Sequence, residues 1–590
     1  MSNNIKIYNN SPFQPDNPDD QTRYALLRHA LAENGRIQDF DFIIKEMSPP
    51  PDILNIAKPG SFKGIKIGII GAGLSGLSSA FELRKLGFDI TILEASSERI
   101  GGRVYTYYFD KQKTLYGEFG PMRMPVSHET LWHYINLFRL NTRPFIQTNK
   151  NGLIYLRKVR VKNDPLGLNV KKYIYPKYNL YKWERQLSWK QLGYCGFESH
   201  LLSANPINRS EILQVKPYYN PYIINWDSQS NRDILQNTGL SQDGINLLQN
   251  FYALAGQNMY NSYLDYAQEI YSVDLSYLYE ISGGLAKLPL SFYESFKWDK
   301  LSDYYPNIPV QCLGNVKLKM GAVVTGIYKY GDKNKIIITY TDSKNSNKLR
   351  EEFDYIICAI PFSVLRTIQI DPLFSYSKMQ CIKEVNYINS QKTLMAFNRR
   401  FWEEGGPDRR ISGGASYTDL PITQVYYPSD HSKYYKAETS NTNSNSLSIP
   451  LKYTKSTFPY LEPGVLLASY NFNLEATRLG GMPYMQRLNL VRQNLEELHG
   501  LPEGYLEPFI IGFKTVNWND EPYFRGALCF YTPEQKKLFS YASSLPEYDG
   551  RVFFAGEHIS AKHRWMQGAL QSGMKAANSL ALECLKNSLI

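Results

Sequence analysis

The sequence predicts an α/β protein, and three stretches carry that expectation: residues 64–103 near the start, residues 171–280 in the middle and residues 551–577 near the end. The first reads GIKIGIIGAGLSGLSSAFELRKLGFDITILEASSERIGGR. Its residues 65–70 form an almost unbroken apolar run, the pattern of a parallel strand buried on both faces. Gly71, Gly73 and Gly76 follow at once as G-x-G-x-x-G, a turn that lets backbone approach a pyrophosphate and sets a helix N-terminus against its charge. The spacing predicts a helix over 74–86 stopped by Gly87, then a strand over 89–93 ending in Glu94. That acid lies about 20 residues past the glycines, where it can bind a ribose hydroxyl pair. A glycine motif alone also fits a helix start that binds nothing. Strand, turn, helix, strand and acid in this order define a Rossmann-like dinucleotide-binding unit.

Composition bounds the rest. A chain of 590 residues, 43% hydrophobic and 14% aromatic, is globular and long enough for two or three domains. The net charge of +11 and pI near 9.0 favour anionic ligands. No dense basic run or nucleic-acid motif accompanies the excess, so no nucleic-acid partner is expected. Cys195, Cys312, Cys358, Cys381, Cys529 and Cys584 are widely spaced, without a C-x-x-C pair, and suggest reduced thiols rather than a disulfide framework or a metal site. The opening MSNNIKIYNNSPFQ has no apolar h-region, and no stretch reaches 18 continuous apolar residues. A soluble, cytoplasmic protein without a membrane partner is expected.

Before the glycine motif, residues 22–33 and 39–47 have helical periodicity, and Pro49, Pro50 and Pro51 force an extended connection. These elements predict an N-terminal helical arm over residues 1–60, packed on the main body. Residues 171–280 carry helical stretches, 241–254 among them, between proline- and asparagine-rich connections. Residues 429–457, with ETSNTNSNSLS, read as a polar surface loop.

The residues after Glu94 choose the dinucleotide. Arg99, Gly101, Gly102 and Arg103, in ERIGGRV, resemble the second glycine–arginine motif of the flavin amine oxidases, which in that family lies along the FAD pyrophosphate. Residues 116–125 read YGEFGPMRMP, and the frame of Gly120, Pro121, Met122 and Arg123 resembles the motif that follows the FAD segment in L-amino acid oxidases. There the arginine binds the substrate carboxylate. A planar guanidinium suits that role, since it holds a carboxylate by two parallel hydrogen bonds.

The resemblance covers the chain from about residue 60 onward. It implies a glutathione-reductase-like two-domain flavoprotein: an FAD-binding domain over 61–118, 281–385 and 536–590, a mixed-sheet substrate domain over 119–170 and 386–535, and a helical insert over 171–280. Val324, ahead of a hairpin-like pair of strands, matches a backbone contact to the FAD adenine. Residues 355–359 resemble the last shared nucleotide-domain strand. Lys392 is followed nine and ten residues later by Phe401 and Trp402, and the family's lysine at this place points at flavin N5 through a water. Tyr470, on a strand predicted over 463–472, falls where a tyrosine shares the substrate carboxylate. In RVFFAGEHISAKHRWMQGA, Gly556 and Glu557 resemble the FAD-bonding acid and its glycine. Trp565 would wall the substrate, Met566 would lie by the flavin, and a helix N-terminus would face the ring. Arg564 stands where some amino-acid oxidases have glycine and would either narrow the pocket or place a charge beside the substrate side chain. The stretch SYLDYAQEIYSVDLSYLYEISGG holds no histidine, although several members have an active-site histidine there.

The position of the cysteine that binds flavin covalently in monoamine oxidases is Ala527, with Cys529 displaced by two. Non-covalent FAD is therefore expected. Oxidation of a small L-amino acid by O2 to a 2-oxo acid, ammonia and hydrogen peroxide is the implied activity. An amino-acid 2-monooxygenase resembling the tryptophan enzyme, with an amide product, remains open. So do a polyamine or monoamine oxidase and a catalytically dead FAD-stabilised scaffold. Symmetry priors suggest a homodimer.

Overall fold

The computed structural model describes residues 12–251, 256–329, 335–344, 346–433 and 459–588. A five-stranded parallel sheet organises it, in the order Val316–Met320, Asp89–Glu94, Lys66–Ile70, Tyr355–Cys358, Val552–Phe554. Lys66–Ile70 is central, and Ile67, Ile69 and Ile70 are buried, as a strand covered on both faces requires. The helix after it runs Leu74–Lys85, one residue short of the expectation, and Gly87 takes φ +90° beyond its end. A Cβ on Gly76 would stand 2.1 Å from the carbonyl oxygen of Gly71, so only glycine lets this helix lie against the turn. On its other side the long final helix, Met566–Ser588, packs so closely that Ser79 Oγ donates to Gly573 O at 2.9 Å.

A seven-stranded sheet forms the second layer, in the order Ile510–Asn517, Ser390–Phe397, Gly464–Phe472, Gln424–Tyr426, Ala415–Thr418, Leu153–Leu156, Val159–Lys162. It is mixed: Ala415–Thr418 and Leu153–Leu156 run parallel, and the other pairs are antiparallel. Every residue of Ser390–Phe397 is buried, and its register sets Lys392 opposite Tyr470 on one neighbour and opposite Val516 on the other. Residues 323–327, expected ahead of a strand pair, are themselves its first strand. Ala322–Tyr328 pairs antiparallel with Ile336–Asp342 in a four-stranded sheet.

The N-terminal helices are tied down by buried charge. The helix Asp20–Glu33 is capped by Asp19, which accepts from Thr22 N at 2.8 Å. Arg23 pairs with Glu129 at 2.5 Å, and Arg36 donates to the carbonyls of Ile270 and Tyr271 at 2.6 and 2.8 Å. A 3-10 turn, Ile37–Asp39, precedes the second helix, Phe40–Met47, so that helix starts one residue later than its periodicity suggested. The middle region supplies the short helices Pro221–Asp227, Asn231–Asn237, Gln242–Leu248 and Tyr263–Tyr271. The helix expected over 241–254 thus ends at Leu248, and residues 252–254 lie outside the described residues. Most of the polar stretch 429–457 lies outside them too, from 434 onward.

Candidate active site

A cavity of about 380 Å3 opens where the parallel sheet ends and the mixed sheet begins. Gly71, Gly73, Glu94, Gly102, Arg103, Gly120, Pro121, Val324, Lys392, Tyr470, Gly556, Glu557, Arg564, Trp565 and Met566 all line it. Strand ends and helix starts converge there, which is where an α/β sheet binds ligands. Gly73 caps the helix Leu74–Lys85, and a Cβ added to it would meet no atom within 4 Å. Its bareness therefore serves the cavity rather than the packing. The start of the final helix, at Met566 and Ala569, faces the same space, so two helix N-termini point at it.

The acid at the end of the second strand is held rigidly. Glu94 Oε2 accepts from Ala72 N at 2.8 Å and Oε1 from Ser96 N at 2.9 Å, while burial pushes its pKa up. Arg103 Nη1 donates to Glu557 Oε1 at 2.8 Å and to Ala527 O at 2.9 Å. Glu557 also accepts from the backbone N–H groups of Cys529 and Arg564, at 3.1 and 2.9 Å. Arg99 does not line the cavity. It stacks on Tyr105 at 4.3 Å and donates to Gly102 O, so it braces the loop from behind. Gly76 acts through the helix packing described above.

The two sheets meet at Lys392. Its ammonium donates to Gly120 O at 2.6 Å and Glu118 O at 3.3 Å, and lies 4.4 Å from the centre of the Tyr470 ring. Burial pulls its pKa down to about 7, against the upward pull of the Glu118 charge and with the help of Arg123. Glu118 is fully enclosed, and burial pushes its carboxyl up to about 7 although Leu285 N–H and Thr106 Oγ1 donate to it. Met122 lies on the far side, its Sδ 4.0 Å from the Lys392 ammonium, in a separate cavity of about 100 Å3.

Arg123 lies beyond Tyr470, outside the lining of the main cavity. Its Nη1 donates to Gln147 Oε1 at 2.6 Å and to the Tyr426 hydroxyl at 3.4 Å. The Tyr426 and Tyr470 rings meet edge to face, 6.3 Å between centroids, and burial pushes the Tyr470 hydroxyl pKa well up. Burial opposes the Arg123 charge, but Tyr426, Tyr470 and Glu269 outweigh it and raise its pKa. Sequence reasoning missed Gln147, Tyr426 and Glu269. Neither Gln147 nor Tyr426 sits in a motif, whereas Glu269 lay inside the stretch searched for histidine.

Arg564 lines the cavity, as its narrowing of the pocket would require, but its charge is partnered by its neighbours. Its Nη1 pairs with Asp265 at 2.8 Å and its Nε with Glu269 at 3.2 Å, and its guanidinium covers the Phe530 ring at 4.1 Å. The charge is spent on these carboxylates. Trp565 Nε1 donates to Glu269 at 3.0 Å, and His128 packs edge to face on the indole, 4.9 Å away. Among the described residues no group of three or more His, Cys, Asp or Glu could hold a metal ion, and no helix is long and apolar enough to cross a membrane.

Fold and site together define a dinucleotide-binding oxidoreductase with a buried lysine beside the cofactor cavity. Residues 74–581 match the family model of the flavin containing amine oxidoreductases, and the chain belongs to that family. Its cofactor is FAD, and the residues present fit it: a bare glycine turn, two helix N-termini, Arg103 and the rigid Glu94. The chain is 30% identical over 517 residues to a putative L-amino-acid oxidase of Bacillus subtilis, covering 86% of this chain and 93% of that one. It is 28% identical over 542 residues to the L-amino-acid oxidase of Vipera ammodytes ammodytes, covering 90% and 96%. Among solved structures, putrescine oxidase bound to putrescine superposes with a TM-score of 0.62 at 17% identity, covering 87% of this chain and 98% of that one. Cyclohexylamine oxidase from Brevibacterium oxydans gives 0.61 at 17% identity, covering 88% and 99%. At such identities these two structures establish the fold alone.

Proposed function

We propose that this protein oxidatively deaminates L-amino acids, turning amino acid, O2 and water into 2-oxo acid, ammonia and hydrogen peroxide. The observation that carries the reading is the file of Lys392, Tyr470 and Arg123, which leads from the cofactor cavity to a guanidinium flanked by two tyrosines. A substrate amine needs no such guanidinium; an α-carboxylate does. FAD, when bound, would supply the hydride acceptor for the Cα–H bond and the redox chemistry that reduces oxygen.

Arg123 fixes the carboxylate and the Tyr470 hydroxyl donates to its second oxygen, while Tyr426, which accepts from Arg123 and donates to Gln424 Oε1, steadies the guanidinium. Trp565, locked by Glu269 and His128, closes one wall and limits how the substrate can turn. Lys392, with a pKa near 7, is able to take up and release a proton at neutral pH, whether from a held water or from the substrate ammonium. This provides proton transfer without a histidine.

The parallel sheet takes strands from 61–118, 281–385 and 536–590, which supports a discontinuous FAD-binding domain. A substrate domain over 119–170 and 386–535, an insert over 171–280 and an arm over 1–60 complete the proposed division. With Ala527 at the position compared with the covalent cysteine, the FAD is held non-covalently. Six free thiols support a cytoplasmic location.

Anaerobic mixing of the yellow holoprotein with each of the twenty L-amino acids, and with their decarboxylated amines, tests the proposal. Bleaching near 450 nm by amino acids but not by amines is expected. Bleaching by amines alone would overturn it.

A further inference from the structure

The helix Tyr263–Tyr271 carries Asp265 and Glu269 one turn apart, so both carboxylates leave the same face. That face meets residues 563–565. Asp265 is saturated: Oδ1 accepts from His563 Nδ1 at 2.6 Å and Gln268 Nε2 at 3.0 Å, and Oδ2 from Arg564 Nη1 at 2.8 Å and Tyr531 N at 3.0 Å. Glu269 is half used. Its Oε1 accepts from Arg564 Nε at 3.2 Å and Trp565 Nε1 at 3.0 Å, while Oε2 accepts no hydrogen bond among the described residues. The side chain keeps 17% of its surface exposed.

Glu269 stands directly behind the cavity wall, and two features relate its free oxygen to the substrate space. Both partners of Oε1, Arg564 and Trp565, line the cavity beside Tyr470. The Glu269 charge is also felt at Arg123 and at the Tyr470 hydroxyl, the groups read above as the carboxylate anchor.

We propose that Glu269 is a specificity-determining residue whose Oε2 accepts a hydrogen bond from a cationic substrate side chain. The site therefore favours L-amino acids ending in an ammonium or a guanidinium and rejects those ending in a carboxylate. An acidic side chain would meet an acceptor in place of a donor, and Arg564 cannot turn toward it without giving up its ion pairs with Asp265 and Glu269. This inference rests on the L-amino acid oxidase reading of the site.

The test compares L-lysine, L-norleucine and L-glutamate as anaerobic reductants of the holoenzyme, in wild type and in Glu269→Gln. Norleucine keeps the straight side chain without the charge, and glutamine keeps an acceptor for Trp565. Wild type is expected to be reduced fastest by lysine and slowest by glutamate. A hydrogen bond to a charged group corresponds to a ratio of about 10- to 100-fold, so Glu269→Gln should lower the lysine-to-norleucine ratio by about that factor. An unchanged ratio in the variant, or wild type that prefers norleucine or glutamate to lysine, would overturn the proposal. The wild-type ranking decides even if the variant does not fold. Bleaching by no L-amino acid at all would instead bring down the oxidase reading, and this inference with it.

Discussion

Replacing Lys392 by methionine gives the sharpest thermodynamic signal. The lysine is 2% exposed, and burial, against Glu118 and with Arg123, lowers its pKa from the ordinary 10.5 to about 7. The unfolded chain therefore holds a proton that the folded chain gives up between pH 7 and 10.5. Unfolding takes up a proton across that window, and wild-type stability rises with pH through it. At about 1.4 kcal/mol per pKa unit, the buried charge costs on the order of 5 kcal/mol at and below pH 7. Lys392→Met removes that cost and also loses the bonds from a charged donor to Gly120 O and Glu118 O, at about 1.5 kcal/mol or more each. The variant should therefore be more stable than wild type by up to about 2 kcal/mol at pH 6 to 7, with the gain shrinking as pH climbs toward 10. Urea unfolding of FAD-saturated wild type and variant at half-unit steps from pH 6 to 10 reads this directly. A difference independent of pH, or a wild type that is the more stable at pH 6, would refute the burial argument.

Three further outcomes follow from the same contacts. If Lys392 takes up a proton in turnover, kcat/KM should rise with pH through about 7 in wild type; the Lys392→Met profile should lose that limb and fall by about 100-fold or more. Arg123→Met should raise KM for L-amino acids by about 100-fold or more, while the visible spectrum of the bound flavin stays as in wild type, because Arg123 lies outside the lining of the cofactor cavity. Gly76→Ala forces a methyl group to 2.1 Å from Gly71 O and should yield protein that leaves a desalting column with less FAD per chain.

The parts of the fold read from sequence were those governed by local rules. The run 65–70, the glycines and Glu94 encode a strand, a turn and an acid within one short segment, and the structure returns them within a residue of expectation. Motif frames likewise located Lys392, Tyr470 and Trp565 on one cavity. What stayed hidden is non-local. Tyr426 meets Arg123 across 303 residues of chain, and a tyrosine in a chain with 46 of them carries no mark of that contact. The partners of Arg564, Asp265 and Glu269, sit almost 300 residues earlier, so its charge pairing was not legible in the sequence. Glu118 lay inside the YGEFGP frame, but its perturbation comes from an enclosure that only the packed sheets create.

The central claim is most directly tested by product balance. The holoprotein is incubated with its best L-amino acid in air, and 2-oxo acid, ammonia and hydrogen peroxide are quantified against substrate consumed, with catalase-free controls and analysis for carbon dioxide and amide. The account predicts the three products in equal amounts, one of each per amino acid. An amide appearing with carbon dioxide in place of the 2-oxo acid would contradict it and move the enzyme to oxidative decarboxylation on the same scaffold.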